Sequence, residues 1–171
     1  MSGSQSLRAG DVWPNCGQDC GGDQVCQCAR TISVRLAEYH EAQLDMCKRL
    51  ERIADNLPLA MDSQAFLQLS RTVYPVVKTA HEFEERSLFP LLEHKMAHED
   101  QLLQSIERLK FEHWEDESFA EEIGDGLLIY VTDPDRQNPE ALSYMLRGFF
   151  EGLRRHIAFE AEHVLPLLSR H

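Results

Sequence analysis

Two segments of the chain each place a histidine one helical turn before a glutamate. They are His81–Glu85 and His156–Glu160, and each is followed by an apolar turn that contains a proline, Pro90 or Pro166. On a helix, side chains at positions i and i+4 lie on the same face, so an imidazole nitrogen and a carboxylate oxygen can point to one place. Nitrogen and oxygen donors arranged in this way can bind a metal ion.

Both pairs lie inside apolar stripes, one between Val77 and Leu88 and the other between Leu153 and Val164. A buried carboxylate without a partner costs several kcal/mol, so a compensating charge is expected beside it. A surface contact between histidine and glutamate is the alternative for a single pair. Two pairs on two core stripes favour metal binding.

The elements that must position these residues are helices, because apolar residues recur at helical spacing from Ala29 onward. We predict helices over roughly 29–56, 63–95, 98–131 and 138–167. Pro58 ends the first helix, and Asp62 or Ser63 caps the second. Pro75 and Pro90 are expected to bend the second helix. Asn138 caps the fourth.

Four helices with short connections and no strand pattern predict an all-α, up-down-up-down four-helix bundle over residues 29–171. Residues 1–28 are predicted to be an irregular leader that contains Cys16, Cys20, Cys26 and Cys28. Its thiols could form a zinc or redox-responsive site, but their spacing favours a disordered tail with reduced thiols. Cys47 lies on the first helical stripe and is predicted to be a small core residue.

Depth along the bundle selects the other candidate ligands. His40 on the first helix and His113 on the third lie about as far from the bundle end as His81 and His156, at 1.5 Å of rise per residue. His94 and His98 fall near the bundle end, and His163 is expected to be exposed or to lie just outside the site. The predicted metal ligands are His40, His81, Glu85, His113, His156 and Glu160.

A mixed nitrogen and oxygen set of this size exceeds the need of one metal ion. It suits a dinuclear site with both carboxylates bridging, and iron is the usual occupant of such sites in helical bundles. We therefore expect two iron ions.

These residues resemble the hemerythrin-like family, specifically its His-His-Glu (HHE) cation-binding branch. The resemblance runs from Ala29 to about Ser169. It rests on the order of His40, His81 with Glu85, Glu112-His113 with Asp116-Glu117, and His156 with Glu160. It implies a non-haem di-iron centre, bridged by carboxylates and by an oxo or hydroxo group, that reacts with O2 or a related small molecule.

The chain departs from the oxygen-carrying hemerythrins at two positions. Glu117 stands where they have a second histidine on the third helix, and Glu160 stands where they have an aspartate. By count, a coordination position could be open on both irons, which favours redox chemistry or sensing over reversible O2 storage.

The net charge of the chain limits the classes of partner that we expect it to bind. The formal net charge of −12 argues against nucleic acid and anionic membranes. No signal sequence or membrane span is recognised, so a cytoplasmic location is expected. Three functions stay open: a protein that binds or senses O2, NO or peroxide, an enzyme that removes peroxide or NO, and a bundle that binds a protein partner without metal.

Overall fold

The computed structural model describes residues 27–58, 62–95 and 100–169. Within these ranges the chain forms five α-helices and no strand. The helices are α1 (Gln27–Asn56), α2 (Ser63–Phe83), α3 (Phe89–Lys95), α4 (Asp100–Thr132) and α5 (Pro139–Phe159).

Two π-helical turns extend these helices into four long rods. The turn Glu84–Leu88 joins α2 to α3, and the turn Glu160–Val164 continues α5 into a 3-10 turn, Leu165–Ser169. The first rod packs against the second and the fourth, and the third also packs against the second and the fourth. The predicted all-α, up-down-up-down four-helix bundle is confirmed. The predicted leader lies outside the described residues up to position 26, and α1 already covers Gln27 and Cys28.

Helix caps fix where two of the rods begin. The Asp62 carboxylate accepts hydrogen bonds from the backbone N–H groups of Gln64 and Ala65. The Asn138 side chain accepts from the N–H groups of Glu140 and Ala141, with Pro139 at the first helical position. The prediction of Asn138 is confirmed, and of the two residues predicted for the second helix, Asp62 or Ser63, Asp62 is the cap.

Prolines mark the ends of the second and fourth rods. A proline ring crowds the carbonyl group four residues earlier, so regular α-helical bonding is disturbed just before it. In both rods the backbone widens at that place: the N–H of Phe89 bonds to the carbonyl oxygen of Glu84, and the N–H of Leu165 bonds to that of Glu160. A π-helical turn therefore precedes Pro90, where the sequence predicted a bend, and α2 runs through Pro75 as one continuous α-helix.

The apolar core has two parts. The larger cluster fills the end of the bundle around Leu50, Val73, Leu127 and Phe150, and the smaller one fills the opposite end around Leu36, Leu92 and Leu168. Every rod carries buried polar residues between these two clusters. The bundle therefore sandwiches one polar layer between two apolar ones.

One glycine allows two rods to approach closely. A Cβ atom on Gly124 of α4 would lie 2.9 Å from the carbonyl oxygen of Ser70 on α2, which is closer than real Cβ contacts. A side chain at this position would push the second and third rods apart.

Candidate metal centre

The polar layer consists of histidines, acids and one amide, all at most 8% exposed. Its members are His40, Gln43, His81, Glu84, His113, His156 and Glu160. They come from all four rods, because each lies on the inward stripe of its helix at the same depth. Five of the six predicted ligands therefore lie together in this layer: His40, His81, His113, His156 and Glu160.

Glu84, His81 and His113 form one half of this layer. The Nε2 atom of His113 lies 2.9 Å from Oε2 of Glu84. The ring of His81 stacks on the ring of His113 with centroids 3.9 Å apart and planes inclined by 4°. Two imidazoles and one carboxylate thus converge where α2 packs against α4.

Glu160, His40 and His156 form the other half. Nε2 of His40 lies 2.9 Å from Oε2 of Glu160, and Nε2 of His156 lies 3.7 Å from Oε1 of the same carboxylate. The two halves meet in the centre: ligand atoms of Glu84, His113, His156 and Glu160 all lie within 4.8 Å of one another. The same holds for His81, His113 and His156.

Several buried atoms in this cluster make no hydrogen bond of acceptable geometry, although two of them, Nε2 of His113 and Oε2 of Glu84, lie 2.9 Å apart. These buried atoms are Nδ1 and Nε2 of His81, Oε2 of Glu84, Nε2 of His113, Nδ1 and Nε2 of His156, and Oε1 of Glu160. Burying such groups unsatisfied is costly, and native proteins rarely do so without a bound group. Imidazole nitrogens and carboxylate oxygens are donors for iron and zinc, so the residues present fit a metal site.

The structure corrects one of the predicted residues. Glu85 was placed on the buried stripe, but its side chain is 44% exposed, and Glu84 at 1% takes the inward position. Residues at i+3 and i+4 both lie on the face of residue i, so spacing from His81 could not distinguish them. The register counted back from the prolines could have done so, because Glu84 and Glu160 each stand six residues before a proline.

Glu85 instead holds His113 from outside the cluster. Nδ1 of His113 donates a hydrogen bond of 2.9 Å to Oε1 of Glu85. In the neutral imidazole with its hydrogen on Nδ1, Nε2 carries the lone pair and faces Glu84. A carboxylate in this place fixes the tautomer and the orientation of a metal-binding imidazole.

Two other cluster histidines also face carboxylates through Nδ1. Oε1 of Glu117 lies 3.4 Å from Nδ1 of His81. Oε2 of Glu112 and Oδ2 of Asp116 lie 3.6 and 3.8 Å from Nδ1 of His156. The acidic residues Glu112, Asp116 and Glu117 of α4 therefore face histidines of the second and fourth rods, against which α4 packs. Sequence analysis did not assign these contacts.

Burial sets the electrostatics of the metal-free cluster. It raises the pKa of Glu84 to about 8, with a further contribution from the charge of Glu160. Burial lowers the pKa of His81 to about 2, helped by the charges of His113 and His156. The pKa of Glu160 falls because the contacts with His40 and His156 outweigh burial. Burial thus favours the protonated form of Glu84, whereas the contacts with two histidines favour the ionised form of Glu160.

The other predicted positions fall as follows. His94 and His163 are exposed, and His163 packs beside Phe159. His98 lies outside the described residues. Cys47 is fully buried in the larger apolar cluster, as predicted, and burial raises the pKa of its thiol to about 11. Gln43, buried in the polar layer, was not predicted.

None of the helices in the described ranges is long and apolar enough to cross a membrane.

One of three comparisons with known proteins found a match, and it agrees with this geometry. No curated protein and no solved structure matched the chain. The family model described as hemerythrin HHE cation binding domain matches residues 31–168, which is most of the chain. The chain therefore belongs to the hemerythrin HHE cation-binding family.

Proposed function

We propose that this protein holds a non-haem di-iron centre in its polar layer and uses it to bind or sense O2 or a related small molecule such as NO or peroxide. The observation that carries the proposal is the buried set of unpaired donor atoms from three histidines and two glutamates, with His40 beside them at 2.9 Å from Glu160. The ligands we propose are His40, His81, Glu84, His113, His156 and Glu160, with Glu84 in the place predicted for Glu85.

The arrangement supports two ions rather than one. Each half of the layer offers two imidazoles and one carboxylate. Ligand atoms of both carboxylates lie within 4.8 Å of each other and of His113 and His156, so two ions could share them. Histidines lie beside both carboxylates and cannot neutralise them while uncharged, and the two carboxylates also contact each other. Two divalent cations would satisfy the unpaired nitrogens and the buried negative charge together.

Bound iron would supply reversible one-electron chemistry and open positions for a diatomic ligand or peroxide. The residues of the chain orient the imidazoles and keep bulk water out of the layer. Glu85 and Glu117 face Nδ1 of His113 and His81, so that Nε2 of each imidazole is directed inward. The apolar clusters on both sides exclude bulk water from the layer.

A titration of the iron-loaded, reduced protein tests the proposal. A binding or sensing protein gives a spectral change that saturates at one small molecule or fewer per centre and reverses when the ligand is removed. Continued consumption of peroxide or NO under a reductant, measured with an electrode, would support the enzymatic alternative. No spectral change with O2, NO or peroxide would contradict both.

A further inference from the structure

A cavity of about 600 Å³ lies between α4 and α5, beside the polar layer. Helix α4 lines it with Ser105, Arg108, Leu109, Glu112, Glu115 and Asp116, and α5 lines it with Gly152, Arg155, His156 and Phe159. Arg108 and Glu115 are exposed, whereas His156 is only 8% exposed. The cavity therefore leads from the surface of the bundle to a buried member of the metal-binding cluster.

His156 connects the cavity to the cluster. Its Nδ1 atom has no hydrogen-bond partner and is directed toward Glu112 and Asp116 on the cavity wall. Its Nε2 atom is directed toward Glu160 inside the layer. The carboxylates beside His156 stand at 3.6 and 3.8 Å, beyond hydrogen-bond distance, whereas Glu85 is bonded to His113 at 2.9 Å. Asp116 and Oε2 of Glu112 are thus not bonded to His156 and can engage another group, whereas Oε1 of Glu112 is held by Arg108.

The side chains that line the cavity carry an excess of negative charge, which favours a cation. Three carboxylates face two guanidinium groups, and Arg108 is already paired with Oε1 of Glu112 at 2.7 Å. Glu115 and Asp116 continue the row of acids from the outside toward His156. A cleft lined with an excess of one charge raises the local concentration of the opposite ion and speeds its association.

We propose that this cavity is the route by which a divalent cation reaches the centre, passing the carboxylates of Glu115 and Asp116 and arriving at His156. The inference rests on the proposed metal centre, but it concerns the rate of uptake and not the final occupancy. The entry route and the metal centre can therefore be tested separately with one set of samples, the first by the rate of uptake and the second by the final iron content.

Gly152 allows the cavity to be blocked without disturbing its walls. A Cβ atom on Gly152 would have its nearest neighbour, Nη2 of Arg155, at 4.0 Å. Gly152→Leu therefore places an apolar side chain in the cavity, and Gly152→Ala is the matched control that leaves most of it open. Alanine and leucine both form helices better than glycine, so neither change should weaken α5.

The measurement is the anaerobic uptake of ferrous iron by the metal-free protein, with free iron trapped by a chelator at each time point. Uptake by Gly152→Leu should be at least about tenfold slower than uptake by Gly152→Ala, with equal iron content at the end. Uptake by both at the wild-type rate would overturn the route. A wild-type protein that takes up no iron would overturn the metal centre itself.

Two variants that each remove one negative charge give a second test, which does not depend on blocking the cavity. Glu115→Gln removes one negative charge from its wall, and Glu121→Gln removes one from an exposed position of α4 that is not among the lining residues. At low ionic strength Glu115→Gln should slow uptake severalfold more than Glu121→Gln, and the difference should shrink as salt screens it. Equal rates for the two variants at low salt would contradict steering by this wall.

Discussion

Glu84 and Glu160 occupy equivalent places in two different rods. Each is the first residue of a π-helical turn, each stands six residues before a proline, and each is buried in the polar layer. Single π-helical turns inside helices are often found at functional sites. The equivalence indicates that the wide turn, more than the spacing from the preceding histidine, determines which carboxylate faces inward.

The two neighbouring glutamates of the second rod should therefore behave differently. Glu84→Gln removes a proposed bridging carboxylate and should abolish binding of at least one iron ion. Glu85→Gln weakens only the hydrogen bond to His113 and should lower the affinity for iron by about 10-fold to 100-fold while keeping the stoichiometry. The number of iron ions per chain, measured after free metal has been removed, distinguishes the two variants. Loss of iron from Glu85→Gln alone would restore the ligand set predicted from the sequence.

Much of the fold could be predicted from the sequence because its signals are local. Apolar spacing defined the rods, and Asp62 and Asn138 marked the starts of two of them. The histidines of the site were also found, because equal depth along antiparallel helices depends only on residue counts and helical rise.

What could not be predicted depends on helix rotation and packing. The choice between Glu84 and Glu85 follows from a widened turn that changes the register within one turn of helix. The contacts of Glu117 with His81, and of Asp116 with His156, join residues of different helices. Such contacts depend on how the helices are rotated against one another, which spacing along one helix does not specify.

The metal-free protein should lose stability as the pH rises from about 6.5 to 8. In this window Glu84 keeps its proton in the folded state, since its pKa is raised to about 8, whereas in the unfolded chain it is already ionised. His113 acts in the same direction, because its contacts with Glu84 and Glu85 outweigh burial and raise its pKa. The folded state therefore binds more protons than the unfolded state, so stability falls with rising pH.

The neighbouring groups do not reverse this sign. The pKa values of His81 and His156 are lowered, so near pH 6.5 the unfolded chain still binds part of their protons and these two groups oppose the loss of stability. Their opposing effect fades by about pH 7.5, where both are neutral in either state, and it is smaller than the effect of Glu84. The pKa of Asp116 is raised by burial to about 6, which affects stability only at lower pH. Thermal melts of the metal-free protein at pH 6.5 and 8 test the prediction. A higher melting temperature at pH 8 would contradict it.

Glu117 should matter for metal affinity although it lies outside the proposed ligand set. Glu117→Gln removes the charge that faces Nδ1 of His81, so affinity for iron should fall by about 10-fold or more. Glu122→Gln, an exposed change on the same helix, is the control and should leave affinity unchanged. Competition with a chelator of known affinity measures both. Equal affinities would show that Glu117 does not orient His81.

Iron should also stabilise the fold by mass action. A ligand at 100 times its dissociation constant stabilises the folded state by about 2.7 kcal/mol, provided that it does not bind the unfolded chain. Glu160→Gln should remove most of this gain, because Glu160 lies between His40 and His156. Melting curves with and without iron test this for both proteins. A variant that kept the full rise would place the bound iron elsewhere.

The central claim is that the buried layer of histidines and glutamates holds two iron ions. Its most direct test is the iron content of the wild-type chain after anaerobic incubation with excess ferrous iron and removal of free metal. His113→Ala serves as the variant control, since His113 contacts Glu84 and stacks on His81. The account predicts about two iron ions per wild-type chain and fewer in the variant. A wild-type chain that remains free of metal would contradict it.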